Sequence, residues 1–234
     1  MSSKILNIDP FGEVKFSWNR RLLHLKLKVR EGKLYVSIPS SYPPDRILDF
    51  IKSKTEWIVK QQEAHKSTLM LFDVDTKFST KFHKLIIERN SRKQISAIKG
   101  NGKVQVFIPW DYDCKKQEFQ LFIRKVLTQV MRVEAKQYLP ARVKELAESC
   151  GLKYRNVFIK DLSSRWGSCS SENNINLNLH LMRLPDRLID YVLYHELTHL
   201  VERNHSSKFW SLLEKFCPKA KILDKELKAF RATF

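Results

Sequence analysis

The residues best suited to chemistry form a short cluster in the last quarter of the 234-residue chain. His195 and His199 are four positions apart, so on a helix both imidazoles lie on one face and can reach one zinc ion. Glu196 lies at the edge of that face, where its carboxylate can contact a metal-bound water without being a ligand. The pattern therefore predicts a catalytic zinc site with Glu196 as general base.

His205 is the expected third ligand of this site. Three neutral imidazoles leave a fourth coordination position open for water, as a catalytic zinc requires. The spacing matches that of the metzincin zinc proteases, but this chain has Glu202 where those proteins have glycine. We therefore expect Asn204 to turn the chain in the left-handed conformation. Glu202 and Glu214 are the rival third ligands.

The charge of the chain is unevenly distributed. Residues 1–160 hold 32 Lys and Arg against 16 Asp and Glu, whereas residues 161–234 hold 11 against 9. An excess of this size favours polyanions such as nucleic acid, although a lysine-rich solvated surface gives the same count. The alternative function is therefore a basic nucleic-acid-binding protein, or a protease recruited by DNA, whose zinc is regulatory or structural.

Composition also indicates where the protein works. No apolar run is long enough to cross a membrane, and the first ten residues lack the apolar core of a secretory signal. The four cysteines include no C-x-x-C pair, so we expect free thiols. These features predict a cytoplasmic protein with no membrane partner.

Two similar groups of strands and a helix are predicted before the metal motif. Residues 14–38 alternate between apolar and polar, with a hairpin turn at Glu31-Gly32, and a helix follows over about 45–65. The pattern of residues 32–42 recurs at 102–112, and a helix follows it again. We therefore predict a basic strand-strand-helix unit that is duplicated.

The helix of the second copy is expected to be long. It runs from about Lys115 towards Cys150, with Pro140 causing a kink or break near Tyr138-Leu139 and Gly151 as its left-handed end. The predicted domains are 1–70, 71–150 and 151–234.

The last region is expected to set a small sheet beside the metal-bearing helix. Residues 175–181 alternate over seven positions and form the clearest strand, with His180 on its polar face. Pro185-Asp186 opens the metal helix, and Phe209 is expected to pack beneath the site. Arg165, His180 and Tyr194 are the candidates for contacting substrate or stabilising an oxyanion.

A set of blocks in this region is more specific than the metal motif alone. The blocks are Ser164-Arg165-Trp166-Gly167-Ser168-Cys169-Ser170, Asn174-Ile175-Asn176-Leu177-Asn178, Asp190-Tyr191-Val192, His195-Glu196-Leu197-Thr198-His199-Leu200 and Asn204-His205-Ser206 with Phe209-Trp210. Together they resemble the YgjP-like zinc metallopeptidase family, which is similar to the SprT-like proteases. The match is strong over 150–217 and weaker before it.

The resemblance implies an α+β fold with a C-terminal minimal zincin-like core, a small antiparallel sheet beside the metal helix. It implies zinc ligands at His195, His199 and His205 and a base at Glu196. It leaves the substrate open beyond a protein or peptide. Some SprT-like relatives digest proteins crosslinked to DNA, which gives the basic N-terminal part added interest.

The sequence therefore predicts a zinc-dependent metallopeptidase. Glu196 would take a proton from water and pass it to the leaving amine. An extended substrate would pair with an exposed strand edge within 165–181.

Overall fold

The computed structural model describes residues 3–30, 32–67 and 70–232. Three small sheets and six α-helices in these ranges make an α+β fold, as the sequence predicts. The chain divides into two compact units, Met1–Met70 and Leu71–Phe234. The predicted domain boundary after residue 150 falls inside the second unit, and whether 71–150 folds by itself stays a prediction.

The first unit contains a four-stranded sheet and two helices. The strands β1 (Ser3–Ile8), β2 (Gly12–Asn19), β3 (Lys26–Arg30) and β4 (Lys33–Pro39) lie in the order β1-β2-β4-β3, followed by α1 (Asp45–Lys52) and α2 (Thr55–Ser67). The sequence did not predict β1. The single helix expected over 45–65 is interrupted at Ser53, whose hydroxyl donates to the carbonyl oxygen of Phe50 at 2.8 Å. Such a bond competes with the helical ladder and favours a helix end.

The second unit begins with a three-stranded sheet and a long helix. The strands β5 (Lys84–Asn90), β6 (Ser96–Gly100) and β7 (Lys103–Pro109) lie in the order β5-β7-β6 and precede α3 (Gln117–Ser149). Of the kink or break predicted near Tyr138-Leu139, the break is wrong, since α3 continues through Pro140. Leu139 and Val143 on either side are fully buried, and their packing outweighs the lost hydrogen bond.

The end of α3 follows the prediction. Gly151 has φ of 66° and turns the chain, while the N–H of Leu152 donates to the carbonyl oxygen of Ala147 at 2.9 Å. This is the left-handed helix end that glycine favours.

The third sheet lies next along the chain and is mixed. The strands β8 (Asn156–Lys160), β9 (Gly167–Cys169) and β10 (Asn174–Asn178) lie in the order β8-β10-β9. β10 is antiparallel to β9 and parallel to β8, so the expectation of a purely antiparallel sheet is wrong. The reason is topological: the chain reverses twice between β8 and β10, and β10 then takes the central place.

The predicted strand over 175–181 is also too long. It ends at Asn178, and residues Leu179–Arg183 form a 3-10 helix. The side-chain oxygen of Asn178 accepts the N–H of His180 at 3.2 Å and caps that helix. Asn178 is fully buried rather than exposed on a polar strand face.

Three helices complete the second unit: α4 (Asp186–Thr198), α5 (Ser207–Phe216) and α6 (Ala220–Leu227). Arg142 of α3 donates two hydrogen bonds to Asp190 of α4, at 2.8 and 2.7 Å, and this bidentate pair fixes α4 against α3. None of the helices in the described ranges has both the length and the apolar character needed to cross a bilayer.

The three sheets share one connectivity. In β2-β3-β4, β5-β6-β7 and β8-β9-β10 the first and third strands are parallel, the second is antiparallel to the third, and a helix follows. This common topology supports the predicted duplication, which itself stays a prediction.

Candidate metal and active site

The three predicted histidines converge. His195 and His199 lie one turn apart on α4 and its C-cap, and His205 lies in the loop before α5. The Nε2 atoms of His205 and His195 are 3.0 Å apart, and potential ligand atoms of all three side chains lie within 4.8 Å of one another. In a tetrahedral zinc site with ligand distances of about 2.0–2.1 Å, neighbouring nitrogens are about 3.3 Å apart. The donor set and its spacing therefore fit one zinc ion.

The chain reaches His205 by a different turn from the one expected. Asn204 does not have the positive φ predicted for it. Instead α4 ends at Thr198, and the N–H groups of Val201 and Glu202 both donate to the carbonyl oxygen of Thr198, at 3.0 and 2.9 Å. The helix thus stops seven positions before His205, and no left-handed residue is needed.

Backbone contacts orient His199. Its Nδ1 lies 3.0 Å from the carbonyl oxygen of Glu202, so Nδ1 carries the proton and Nε2 is left with its lone pair for a metal. Glu202 therefore contributes its backbone oxygen to the site. The other rival ligand, Glu214, accepts the N–H of Lys219 at 2.7 Å, and neither carboxylate joins the group of three histidines.

An apolar floor lies beneath the histidines. The ring of Phe209 is fully buried, with its centroid 5.0, 4.6 and 4.7 Å from those of His195, His199 and His205. Burial lowers the pKa of His195 to about 4, and the neighbouring His199 and His205 act in the same direction. The imidazole of His195 is therefore neutral at pH 7, as metal ligation requires.

Glu196 lies deep beside the group, with 5% of its surface exposed. Its Oε2 atom is buried and has no hydrogen-bond partner among the described residues. Burial raises the pKa of Glu196 to about 8, although the positive charge of Arg165 acts to lower it. A buried carboxylate oxygen without a partner is costly, and a water at the open metal position would satisfy it.

Gly167 of β9 gives this carboxylate its place. A Cβ atom on Gly167 would lie 2.6 Å from Oε1 of Glu196 and 2.8 Å from its Cγ. Only a residue without a side chain lets the strand approach Glu196 so closely. Gly167 had no predicted role of its own, although a glycine inside a strand is a sequence signal for such a close backbone approach.

The other predicted site residues lie in different surroundings. Arg165 is exposed in the loop before β9, close enough to influence Glu196 electrostatically. His180 is buried with Nε2 3.3 Å from Oδ1 of Asp161, outside the group of three histidines. Tyr194 directs its hydroxyl to Ser149 at the end of α3. Of the three candidates, only Arg165 acts electrostatically on Glu196.

Arg203 is a second residue near the histidines that had no predicted role. Its guanidinium donates to the carbonyl oxygen of Ser170 at 2.6 Å and also to the side-chain oxygen of Asn173. These bonds fasten the loop that carries His205 to the hairpin between β9 and β10. The sequence offered no signal for this contact, because the partners lie thirty or more residues apart.

Comparison with known proteins gives a matching family model and similar solved structures. A family model described as YgjP-like, metallopeptidase domain matches residues 23–230. The metallopeptidase zymogens abylysin of Pyrococcus abyssi and jannalysin of Methanocaldococcus jannaschii are each 26% identical to the aligned part of this chain. Abylysin aligns over 39% of this chain and 93% of its own with a TM-score of 0.35, and jannalysin over 38% and 91% with 0.34. No curated protein matches. Because the family model spans most of the sequence, the chain belongs to the YgjP-like metallopeptidase family.

Proposed function

We propose that the protein is a zinc-dependent peptidase in which Glu196 is the general base. The family supports a metallopeptidase that acts on proteins or peptides. The observation that carries the proposal is the buried Oε2 of Glu196, without a described partner, beside three converging imidazoles. The mixed sheet and α4 would then form a minimal zincin-like core.

The three histidines would hold the ion, and Phe209 would exclude solvent below it. When bound, zinc would supply a Lewis acid that polarises the scissile carbonyl and lowers the pKa of water at the open position.

Glu196 would accept the proton of the attacking water and pass it to the leaving amine. Its carboxylate is held between Gly167 and α4, so it is oriented before substrate arrives. Arg165, whose positive charge acts on this carboxylate, would also stabilise the developing negative charge.

The edge strand β9 would bind the substrate backbone. Ser168 pairs with Asn176 of β10, and within the described chain no strand lies on the other side of β9. Since Ser170 and Asn174 form a hydrogen-bonded pair, the alternation leaves the backbone groups of Gly167 and Cys169 directed away from β10. An extended peptide can add to this edge and cross the histidines.

The direct test replaces Glu196 with Gln. The variant should bind one zinc per chain and cleave a broad peptide library at least about 100-fold more slowly than the wild type. The matched control is Glu172→Gln, which alters an exposed glutamate in the turn beside β9 and should cleave at the wild-type rate. Full activity of Glu196→Gln would contradict the mechanism.

The charge of residues 1–160 favours one alternative, a nucleic-acid-binding protein whose zinc is structural or regulatory. It requires DNA binding that weakens steeply with salt, together with no hydrolysis of any library peptide. Binding of the full chain to a labelled duplex between 50 and 200 mM salt, about the range over which such binding falls, separates the two functions. A protease recruited by DNA would give both responses.

A further inference from the structure

A second groove lies in the same unit as the histidines, between the edge strand β6 and the helix α3. It has a volume of about 470 Å³. Its apolar lining includes Ala97 of β6 and Val126 and Val130 of α3, while Lys99 and Lys125 are exposed at its margin. No acidic residue lines it.

The strands of this groove correspond to those of the candidate active site. The central strands β7 and β10 have the same topology, and both bury alternate apolar residues. Val106 of β7 pairs with Ala97 of β6, and Leu177 of β10 pairs with Gly167 of β9. Ala97 therefore occupies the place of Gly167, the residue that contacts Glu196.

The helices correspond through their sequences. Pro44-Asp45-Arg46-Ile47-Leu48-Asp49-Phe50-Ile51 at the start of α1 matches Pro185-Asp186-Arg187-Leu188-Ile189-Asp190-Tyr191-Val192 at the start of α4, and Phe50-Ile51-Lys52 matches Phe122-Ile123-Arg124 of α3. The aligned residues Ile51, Ile123 and Val192 are all buried. In this alignment Val126 stands for His195 and Val130 for His199. The groove thus has the position of a peptide-binding cleft without the ligands that would make it catalytic.

The strand edge that borders the groove is free within the described residues. Asn101 and Gly102 have φ of 48° and 69° and form a two-residue turn, so Gly100 and Lys103 are a hydrogen-bonded pair. The alternation then directs the backbone N–H and C=O of Ala97 and Lys99 away from β7. No strand of the described chain pairs with that side of β6.

We propose that this groove binds an extended peptide segment, which adds a strand to β6 and inserts an apolar side chain beside Ala97. The residue two positions away lies on the same face of the added strand and meets Lys99, so an acidic residue fits there. Charge complementarity with Lys99 and Lys125 selects this occupant. That the segment belongs to the polypeptide substrate rests on the proposed peptidase function.

The test uses the full chain with Glu196→Gln, which prevents cleavage. The probe is a fluorescein-labelled Ser/Thr peptide with one Leu and, two positions on, one Glu, titrated by fluorescence anisotropy. We expect saturable binding that Lys99→Glu weakens roughly tenfold or more by reversing the charge at the margin. Lys115→Glu makes the same charge change in the exposed turn before α3 and should leave the affinity unchanged.

Two further measurements address the apolar contact. Gln129→Trp places a large ring from an exposed position of α3 into the groove and should compete with the peptide. A probe with Ser in place of Leu should bind at least roughly tenfold more weakly, because the buried apolar contact is lost.

Several results would overturn the proposal: no saturable binding, equal binding by Lys99→Glu, or equal binding of the Ser probe. A concentration-dependent dimer through β6 that the peptide does not displace would assign the edge to a second copy instead. If the wild type cleaves peptides but Glu196→Gln does not bind the probe, only the groove proposal fails. If Glu196→Gln binds the probe but the wild type hydrolyses no peptide, only the proposed peptidase function fails.

Discussion

At the scale of single residues, type and spacing predicted which histidines converge more fully than they predicted the surroundings of these side chains. Two histidines at helical spacing on α4 lie on one face, and His205 joins them as expected. Gly167 shows what remained hidden, since its role depends on a contact with Glu196 across twenty-nine positions of sequence. His180 also departed from expectation, because the strand that would have exposed it ends two residues earlier.

The close approach of Gly167 to Glu196 gives a sharp test. Gly167→Ala places a methyl group 2.6 Å from Oε1, and the buried carboxylate has to move. We expect kcat for peptide cleavage to fall at least about tenfold, because a displaced base is poorly oriented, while zinc affinity stays near the wild-type value. Gly100→Ala is the matched control, since its Cβ would meet nothing within 4 Å. Equal kcat values for the two variants would contradict the role of Gly167.

His180 makes stability depend on pH. Burial lowers its pKa to about 3, and the charges of Arg183 and Arg132 act in the same direction, whereas the Asp161 carboxylate is 44% exposed and its charge is partly screened. Between the unfolded value of 6.5 and the folded value, the unfolded chain binds the extra proton, so stability is lost as the pH falls through this window.

The expected size follows from the difference between pH 5 and the unfolded pKa. Urea unfolding at pH 8 and pH 5 should show that the wild type loses about 2 kcal/mol more than His180→Gln, in the transition of the unit that contains this residue. The other histidines are common to both proteins and cancel in the comparison. The same loss in both would show that His180 is not held neutral.

At the scale of elements, the predictable features were those set by local pattern. The start of α4 at Asp186, the hairpin of β6 and β7, and the left-handed end of α3 at Gly151 depend on nearby residues. The parallel pairing of β8 with β10 and the early end of α4 depend on contacts between distant residues. The sequence therefore predicted which histidines converge but misplaced the turn that brings His205 to the other two.

Arg203 supplies one of these distant contacts, and its removal should loosen the metal site. Arg203→Ala frees the loop before His205 from the hairpin between β9 and β10. We expect zinc affinity to fall about 10-fold, within the range typical of residues that support metal ligands. Competition with a chromophoric chelator measures it. Arg155→Ala removes an exposed ion pair on the same hairpin and should change the affinity little. A wild-type zinc affinity in Arg203→Ala would show that Arg203 does not support the metal site.

At the scale of the whole molecule, one order of strands and helix occurs three times. Within the described residues, the group of three histidines follows the third of these sheets. Sequence similarity predicted two copies, but the mixed sheet next to α4 shares their strand order and directions as well. The similarity of the third sheet to the other two could not be predicted from the strand sequences, because β9 has only three residues and little resemblance to β3 or β6. The uneven charge was visible from the start, and it marks residues 1–160 rather than the site.

The most direct test of the central claim is a zinc titration of the wild type, His205→Ala and Glu214→Gln against a chelator of known affinity. The wild type should bind one zinc per chain, and Glu214→Gln should bind it equally well. His205→Ala should bind at least about 100-fold more weakly, because one of three imidazole ligands is missing. Unchanged zinc affinity in His205→Ala, or a comparable loss in Glu214→Gln, would contradict the three-histidine site.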